Sequence, residues 1–170
     1  MNADSTNLDP APDGAARRAA ERRLGDLGLQ LPTPPRPLGT YVEAVQSGSL
    51  LFLSGMIPSR DGVIPVTGRV GVELDVAQGR EAARLAALNA LAVARAHLGS
   101  LDRVSRVIRV AVSMVTFGDV REHPAVADGA SALFQDVFGS EKNSCRSVYG
   151  VATLPLAAPL VLDVIFEVDV

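Results

Sequence analysis

The run Leu160-Val-Leu-Asp-Val-Ile-Phe-Glu-Val168 decides which fold this sequence can adopt. Seven of its nine residues are apolar, and most of these are β-branched or aromatic, a composition that is typical of strands. We predict a strand over residues 159–169. A strand that is apolar on both faces is typical of the middle of a sheet that other elements cover. This segment is therefore predicted to be a central strand.

Helix and strand patterns alternate along the rest of the chain. Asp75 and Gln78 have the spacing of an N-terminal capping box, and Gly99 stands where a C-terminal cap is expected. A long amphipathic helix is predicted between them. Pro124 and Gly139 bound a second predicted helix in the same way. Further strands are predicted at residues 41–46, 50–57, 64–66, 104–115 and 147–153.

The resulting order, β-β-β-α-β-α-β-β, predicts an α+β fold with a single mixed sheet. Each helix lies between strands, so both helices can cover the same face of that sheet. The strands carry few polar residues, and the second face must also be removed from water. Packing against other copies of the chain would bury this second face, so we predict a homo-oligomer.

The length of 170 residues fits one domain with a flexible leader. Residues 1–38 are predicted to form that leader, with a polar start, a short helix at 15–27 and a proline-rich linker at 31–37. The single folded domain is predicted to span residues 39–170.

Composition excludes several classes of function. The net charge of −3 gives no electrostatic footprint for nucleic acid, which is not an expected partner. One cysteine rules out an internal disulfide framework and fits a reducing compartment. No signal pattern or membrane-length apolar run is present, so a cytoplasmic protein without membrane contact is expected. Two separated histidines and one cysteine form no recognisable metal site.

The segment Cys145-Arg-Ser-Val-Tyr-Gly-Val-Ala-Thr-Leu-Pro155 places one guanidinium at the mouth of an otherwise uncharged strand. No acidic residue lies between Arg146 and Asp163, so no partner is offered nearby in the sequence. A partly buried arginine usually binds a planar anion through two hydrogen bonds. Arg146 is therefore either a receptor for the carboxylate of a small ligand, or an arginine that is exposed or paired with a distant Asp or Glu.

The chain from residue 39 to 170 resembles the reactive intermediate deaminase (Rid) family, which is also known as the endoribonuclease L-PSP or translation-inhibitor family. The leader resembles that of a longer-tailed branch of this family. The matching motifs, in chain order, are Tyr41-Val-Glu-Ala-Val45, Ser54-Gly-Met-Ile-Pro58, Gly71, Gly99-Ser-Leu-Asp-Arg-Val104, Arg146-Ser147 and Leu154-Pro155.

The resemblance implies a chorismate-mutase-like subunit in a homotrimer, in which three sheets form a barrel and ligand clefts lie between subunits. It implies that Arg146 binds the carboxylate of a 2-imino acid, which water hydrolyses to a 2-keto acid and ammonia without a metal or organic cofactor. By the same resemblance, Tyr41 flanks the ligand, while the backbone of Gly55 and the carbonyl of Val148 line the cleft.

One position departs from the family pattern. Hydrolytic members carry a glutamate that helps to hold the attacking water, and Val161 occupies its place here. Asp163 lies two residues later, on the same face of the predicted strand, and Asp128 lies near a position that relatives place close to the cleft. Either acid could compensate. Three functions stay open: an imine deaminase, a trimer that binds small carboxylates without turnover and, with less support, an endoribonuclease.

Overall fold

The computed structural model describes residues 19–170, which form three α-helices, five strands and three short 3-10 helices. The helices are separated by strands, as the sequence predicted. In chain order the elements are α1 (Ala19–Asp26), β1 (Ala44–Ser47), β2 (Leu50–Leu53), α2 (Val76–Leu98), β3 (Val104–Val115), α3 (His123–Phe138), β4 (Cys145–Val151) and β5 (Leu160–Val168).

The five strands form one mixed sheet in the order β1-β2-β5-β3-β4. The prediction that β5 is central is confirmed, since it pairs antiparallel with both β2 and β3. At the edge of the sheet opposite β1, β4 pairs parallel with β3 alone. The strand predicted at residues 64–66 is wrong, because that segment has no ladder partner and contains Pro65, which has no N–H to donate.

The predicted caps of α2 are confirmed. The Asp75 carboxylate accepts a hydrogen bond from the Gln78 backbone N–H at 2.7 Å, and the Gln78 side chain accepts one from the Asp75 N–H at 3.0 Å. Gly99 ends the helix with φ 83°, a left-handed conformation that glycine adopts without strain. Pro124 lies in the first turn of α3, as predicted.

Both long helices pack on the same face of the sheet and bury its centre. Phe166 of β5 is fully buried, and its ring meets the rings of Phe134 and Phe138 edge-on, with centroids 5.9 and 6.0 Å apart. Val110 and Val164, on neighbouring strands, point into the same cluster. The core therefore lies between the sheet and α2–α3.

The first helix is attached to this core. The Asp102 carboxylate accepts hydrogen bonds from the backbone N–H groups of Ala20 and Glu21, at 3.0 and 3.1 Å, which lie at the start of α1. Leu24 is buried in the main cluster. The short helix predicted in the leader is therefore attached to the core from Ala19 onward. Residues 1–18 lie outside the described part.

The opposite face of the sheet has no helix over it among the described residues. Val45, Phe52 and Ile165 lie side by side across β1, β2 and β5, and Phe52 is 39% exposed. Tyr149 of β4 is 52% exposed. Large apolar side chains gathered on an uncovered sheet face are typical of an interaction surface. We call this surface the open face.

The two long helices cross closely at Gly129. A Cβ atom at this position would overlap with the backbone carbonyl oxygen of Arg80 on α2. Near the same crossing, a Cβ on Gly79 would lie 3.1 Å from Cγ1 of Val126. The absence of side chains at these two positions sets the distance between α2 and α3, and thereby the position of α3 against the edge of the sheet.

We predict that Gly129→Ala destabilises the protein, although alanine is the better helix former. The backbone carbonyl cannot move aside as a side chain would, and forced overpacking costs about 1–3 kcal/mol, more than the roughly 1 kcal/mol gained in helix propensity. Urea unfolding measures the change. Gly25→Ala in α1 is the matched control, because open space surrounds that position, and it should be neutral or stabilising. Equal effects of both changes would contradict the prediction.

Candidate functional site

Arg146 lies on the helix-covered side of the edge strand β4, where it pairs in register with the buried Val110. Its Nη1 donates hydrogen bonds to Oδ1 of Asp128 at 2.7 Å and to Oγ of Ser131 at 3.0 Å, both on α3. The Arg146 side chain is 23% exposed. Arg146 therefore has an acidic partner within its own chain, as in the distant-pairing alternative that the sequence left open.

This pairing leaves part of the guanidinium available. The contact of Nη2 with the Pro124 carbonyl is 3.5 Å long, at the outer limit for a hydrogen bond, and Nε has no partner within residues 19–170. An arginine binds a carboxylate in a bidentate manner through two such neighbouring N–H groups. Asp128 and Ser131 thus hold Arg146 through one nitrogen while its other N–H groups can take an anion.

A polar cavity of about 380 Å³ opens beside this arginine, between α3, the start of α2 and the loop before β4. Its size suits a small metabolite. The lining combines two guanidinium groups, one carboxylate and several neutral hydrogen-bonding groups. The lining residues are Arg80, Asp128, Ser131, Ala132, Gln135, Asn143, Ser144 and Arg146.

Of the other predicted site residues, Val148 lies on the same strand as Arg146, whereas Tyr41 and Gly55 lie elsewhere on the subunit. Val148 shares the helix-covered side of β4 with Arg146 and packs against the core. Tyr41 precedes β1, is half exposed, and accepts a hydrogen bond on its hydroxyl from the Leu38 N–H at 3.0 Å. Gly55 follows β2, and no contact described for residues 19–170 joins Tyr41 or Gly55 to Arg146. Their roles remain predictions.

The acid position of the family lies on the opposite side of the sheet from Arg146. Val161 pairs in register with Ser113 and therefore points to the open face. There it meets Gly55, whose Cβ would lie 2.9 Å from Cγ2 of Val161 and 3.8 Å from Oδ1 of Asp163. Residues on opposite faces of one sheet cannot converge on a ligand, so a site that joins them needs two copies of the chain.

This geometry separates the two acids that the sequence offered as substitutes for the missing glutamate. Asp163 lies on the open face, beside Val161 and Gly55. Asp128 is in direct contact with Arg146. Within one chain, only Asp128 of the two shares an environment with the arginine.

Sequence reasoning missed three side chains that shape this region: Ser131, Arg80 and Asn89. Asn89 of α2 is 1% exposed, and its Nδ2 donates to the carbonyls of Ile57 and Ser59 at 2.8 and 2.9 Å. It thereby fixes the loop that follows Gly55. A lone asparagine within an Ala- and Leu-rich helix was a signal for such a contact, since it must find partners when buried.

Within residues 19–170, no three His, Cys, Asp or Glu side chains are grouped so that they could hold a metal ion. No helix in this part of the chain combines the length and apolar character needed to cross a lipid bilayer.

Comparison with known proteins identifies the family of this chain. The family model described as "YjgF/chorismate_mutase-like, putative endoribonuclease" matches residues 21–168. The chain belongs to this family. The family resemblance predicted from the motifs is therefore confirmed, together with the chorismate-mutase-like fold of a YjgF-family subunit.

Two relatives of known sequence support this assignment. Protein TCP17 of Trypanosoma cruzi is 39% identical over 147 residues, which cover 86% of this chain and 92% of that protein. A 2-iminobutanoate/2-iminopropanoate deaminase of Dermatophagoides farinae is 31% identical over 142 residues, which cover 83% of this chain and 95% of the deaminase.

Two solved structures are similar to this chain in fold and sequence. Protein Atu1372 of Agrobacterium tumefaciens, of unknown function, matches with a TM-score of 0.81 and 37% identity, over 92% of this chain and 96% of its own. Escherichia coli TdcF, solved with bound serine, matches with a TM-score of 0.59 and 28% identity, over 79% and 93% of the two chains.

We predict that Asn89→Leu destabilises the protein by about 1–3 kcal/mol, because the buried Ser59 carbonyl loses its Asn89 donor and the Ile57 carbonyl keeps only the Ser59 N–H. Leucine would otherwise favour the helix. Ser59→Ala is the control, since it removes only the 3.3 Å contact to Oγ and keeps both carbonyl hydrogen bonds. Thermal and urea unfolding compare the variants. A fully stable Asn89→Leu protein would show that the loop does not depend on this side chain.

Proposed function

We propose that this YjgF-family protein binds small 2-imino acids in clefts between the copies of a homotrimer and hydrolyses them to 2-keto acids and ammonia. The observation that carries the proposal is the arrangement of Arg146, which Asp128 and Ser131 hold through Nη1 alone beside a polar cavity. The deaminase relative gives the substrate class, and the serine bound to TdcF is a small molecule with the same carboxylate group.

The main contribution of the protein to this reaction is to orient the substrate. The substrate carboxylate pairs with the remaining N–H groups of Arg146, which fixes the imine carbon in the cleft. Water adds its oxygen to that carbon while the C=N electron pair moves to nitrogen, which takes up a proton. In the resulting carbinolamine the hydroxyl proton passes to the amino nitrogen, the O–H electron pair forms the C=O bond, and the C–N bond breaks to release ammonia. Imine and water thus become keto acid and ammonia with no change of redox state.

A trimer is proposed because one subunit does not contain the whole cleft. Arg146 faces α3, whereas Gly55 and Val161 lie across the sheet on the open face. The open face also exposes Phe52 and Tyr149, which need a cover. When copies pack through their open faces, Gly55 and Tyr41 of one copy are proposed to approach the edge strand β4 of its neighbour.

A second function, carboxylate binding without turnover, is favoured by Val161. Its methyl groups fill the place next to Gly55 where the family keeps a carboxylate for the water. A valine cannot accept a hydrogen bond, so water would be bound less firmly there. The endoribonuclease activity gains little support, since His97 and His123 lie on different helices and the net charge is −3.

We predict that Arg146→Ala lowers kcat/KM for 2-iminobutanoate by about ten- to hundredfold, the value of a charge-assisted hydrogen-bonded contact. The imine is generated in a coupled assay, and keto acid and ammonia are measured. Arg22→Ala, which removes the same charge from the exposed surface of α1, is the control. Wild-type protein that is no faster than Arg146→Ala would refute catalysis. If 2-oxobutanoate then raises the melting temperature of the wild-type protein but not that of Arg146→Ala, the binding function is supported.

We predict that Val161→Glu raises the rate of imine hydrolysis, because a carboxylate at this position can accept a hydrogen bond from the attacking water. Val161→Gln, of equal length but without charge, should raise the rate less. The same coupled assay compares both variants with wild type. The outcome that contradicts the prediction is a Val161→Glu protein that folds and binds 2-oxobutanoate but hydrolyses the imine no faster than Val161→Gln. This position would then not limit turnover.

A further inference from the structure

Asp128 has one carboxylate oxygen that Arg146 does not use. Its Oδ1 accepts the hydrogen bond from Nη1 of Arg146, while Oδ2 accepts none from residues 19–170. The side chain is 49% exposed and lines the same cavity as Arg146. A negatively charged acceptor therefore stands directly beside the guanidinium group that is proposed to bind the ligand.

The charges of the cavity suit a ligand that carries both signs. Arg80 and Arg146 supply two positive groups, Asp128 supplies one negative group, and the remaining polar lining is neutral. A ligand with only a carboxylate meets the repulsion of Asp128 as well as the attraction of the arginines. A ligand with a cationic nitrogen next to its carboxylate matches both members of the Arg146–Asp128 pair.

We propose that Asp128 binds the cationic nitrogen of the ligand, so that the site selects zwitterions, namely 2-iminium acids and α-amino acids, over 2-keto acids. This inference rests on the proposed function, which assigns the ligand carboxylate to Arg146. In 2-iminium and α-amino acids the nitrogen and the carboxylate are attached to the same carbon. They can therefore reach neighbouring side chains that are already in hydrogen-bond contact, as Arg146 and Asp128 are.

The same contact has a chemical consequence for an imine. A carboxylate beside the nitrogen favours the protonated iminium form, since opposite charges attract. The iminium carbon is more electrophilic than that of the neutral imine, so water adds to it more easily. Asp128 would in this way assist a site in which Val161 replaces the acid that holds the water. It is a binding and activating group and does not take the place of that acid.

The test uses Asp128→Asn in the full chain, with 2-aminobutanoate and 2-oxobutanoate as probes in isothermal titration calorimetry. The asparagine carbonyl still accepts the hydrogen bond from Arg146, so the shape is kept while the charge is removed. We expect binding of the amino acid to weaken by about two- to fivefold, the range for an exposed ion pair, and binding of the keto acid to become tighter. The two ligands should thus respond in opposite directions.

Ser131→Ala is the matched control, because it removes the other partner of Arg146 without changing any charge. It should weaken both ligands in the same direction. If Asp128→Asn also weakens both alike, or changes neither, Asp128 only supports Arg146 and the inference is overturned. The proposed function would still stand in that case, provided that Arg146→Ala abolishes binding of 2-oxobutanoate to the otherwise intact protein. Wild-type protein that binds neither ligand would overturn both.

Discussion

A sheet that helices cover on one face only divides its side chains into two environments, and successive residues of each strand fall into opposite ones. In this protein, that alternation places Arg146 under α3 and Val161 on the open face. Within one subunit these two positions therefore face different environments, and the trimer proposed above rests on this separation.

The position of α3 couples the core to the candidate site. Gly129 allows α3 to approach α2 so closely that a methyl group would not fit. Asp128 and Ser131 flank this crossing on the same helix, and both hold Arg146. The arginine is therefore oriented by a helix whose place is set by close packing rather than by loops. Packed interiors resist displacement, which gives the guanidinium group a fixed direction.

The short-range features of the fold could be read from the sequence. The cap at Asp75, the start of α3 near Pro124 and the central place of β5 all follow from patterns within a few residues, and the structure agrees. The strand predicted at residues 64–66 is wrong because Pro65 has no N–H to donate to a ladder, although its two neighbours are apolar. The docking of α1 was missed because it depends on Asp102, about eighty residues away along the chain.

The sequence by itself determined the family and, apart from the strand at residues 64–66, the order of the elements, and it singled out Arg146 as a candidate, since these depend on motifs, periodicity and local conformational preferences. Only the tertiary structure decided what surrounds that arginine. Asp128 and Arg146 are eighteen residues apart in the chain and in hydrogen-bond contact in space, while Asp163 is turned to the other face. Such pairings depend on how α3 packs across the sheet, and contacts between distant segments leave no pattern in a single sequence.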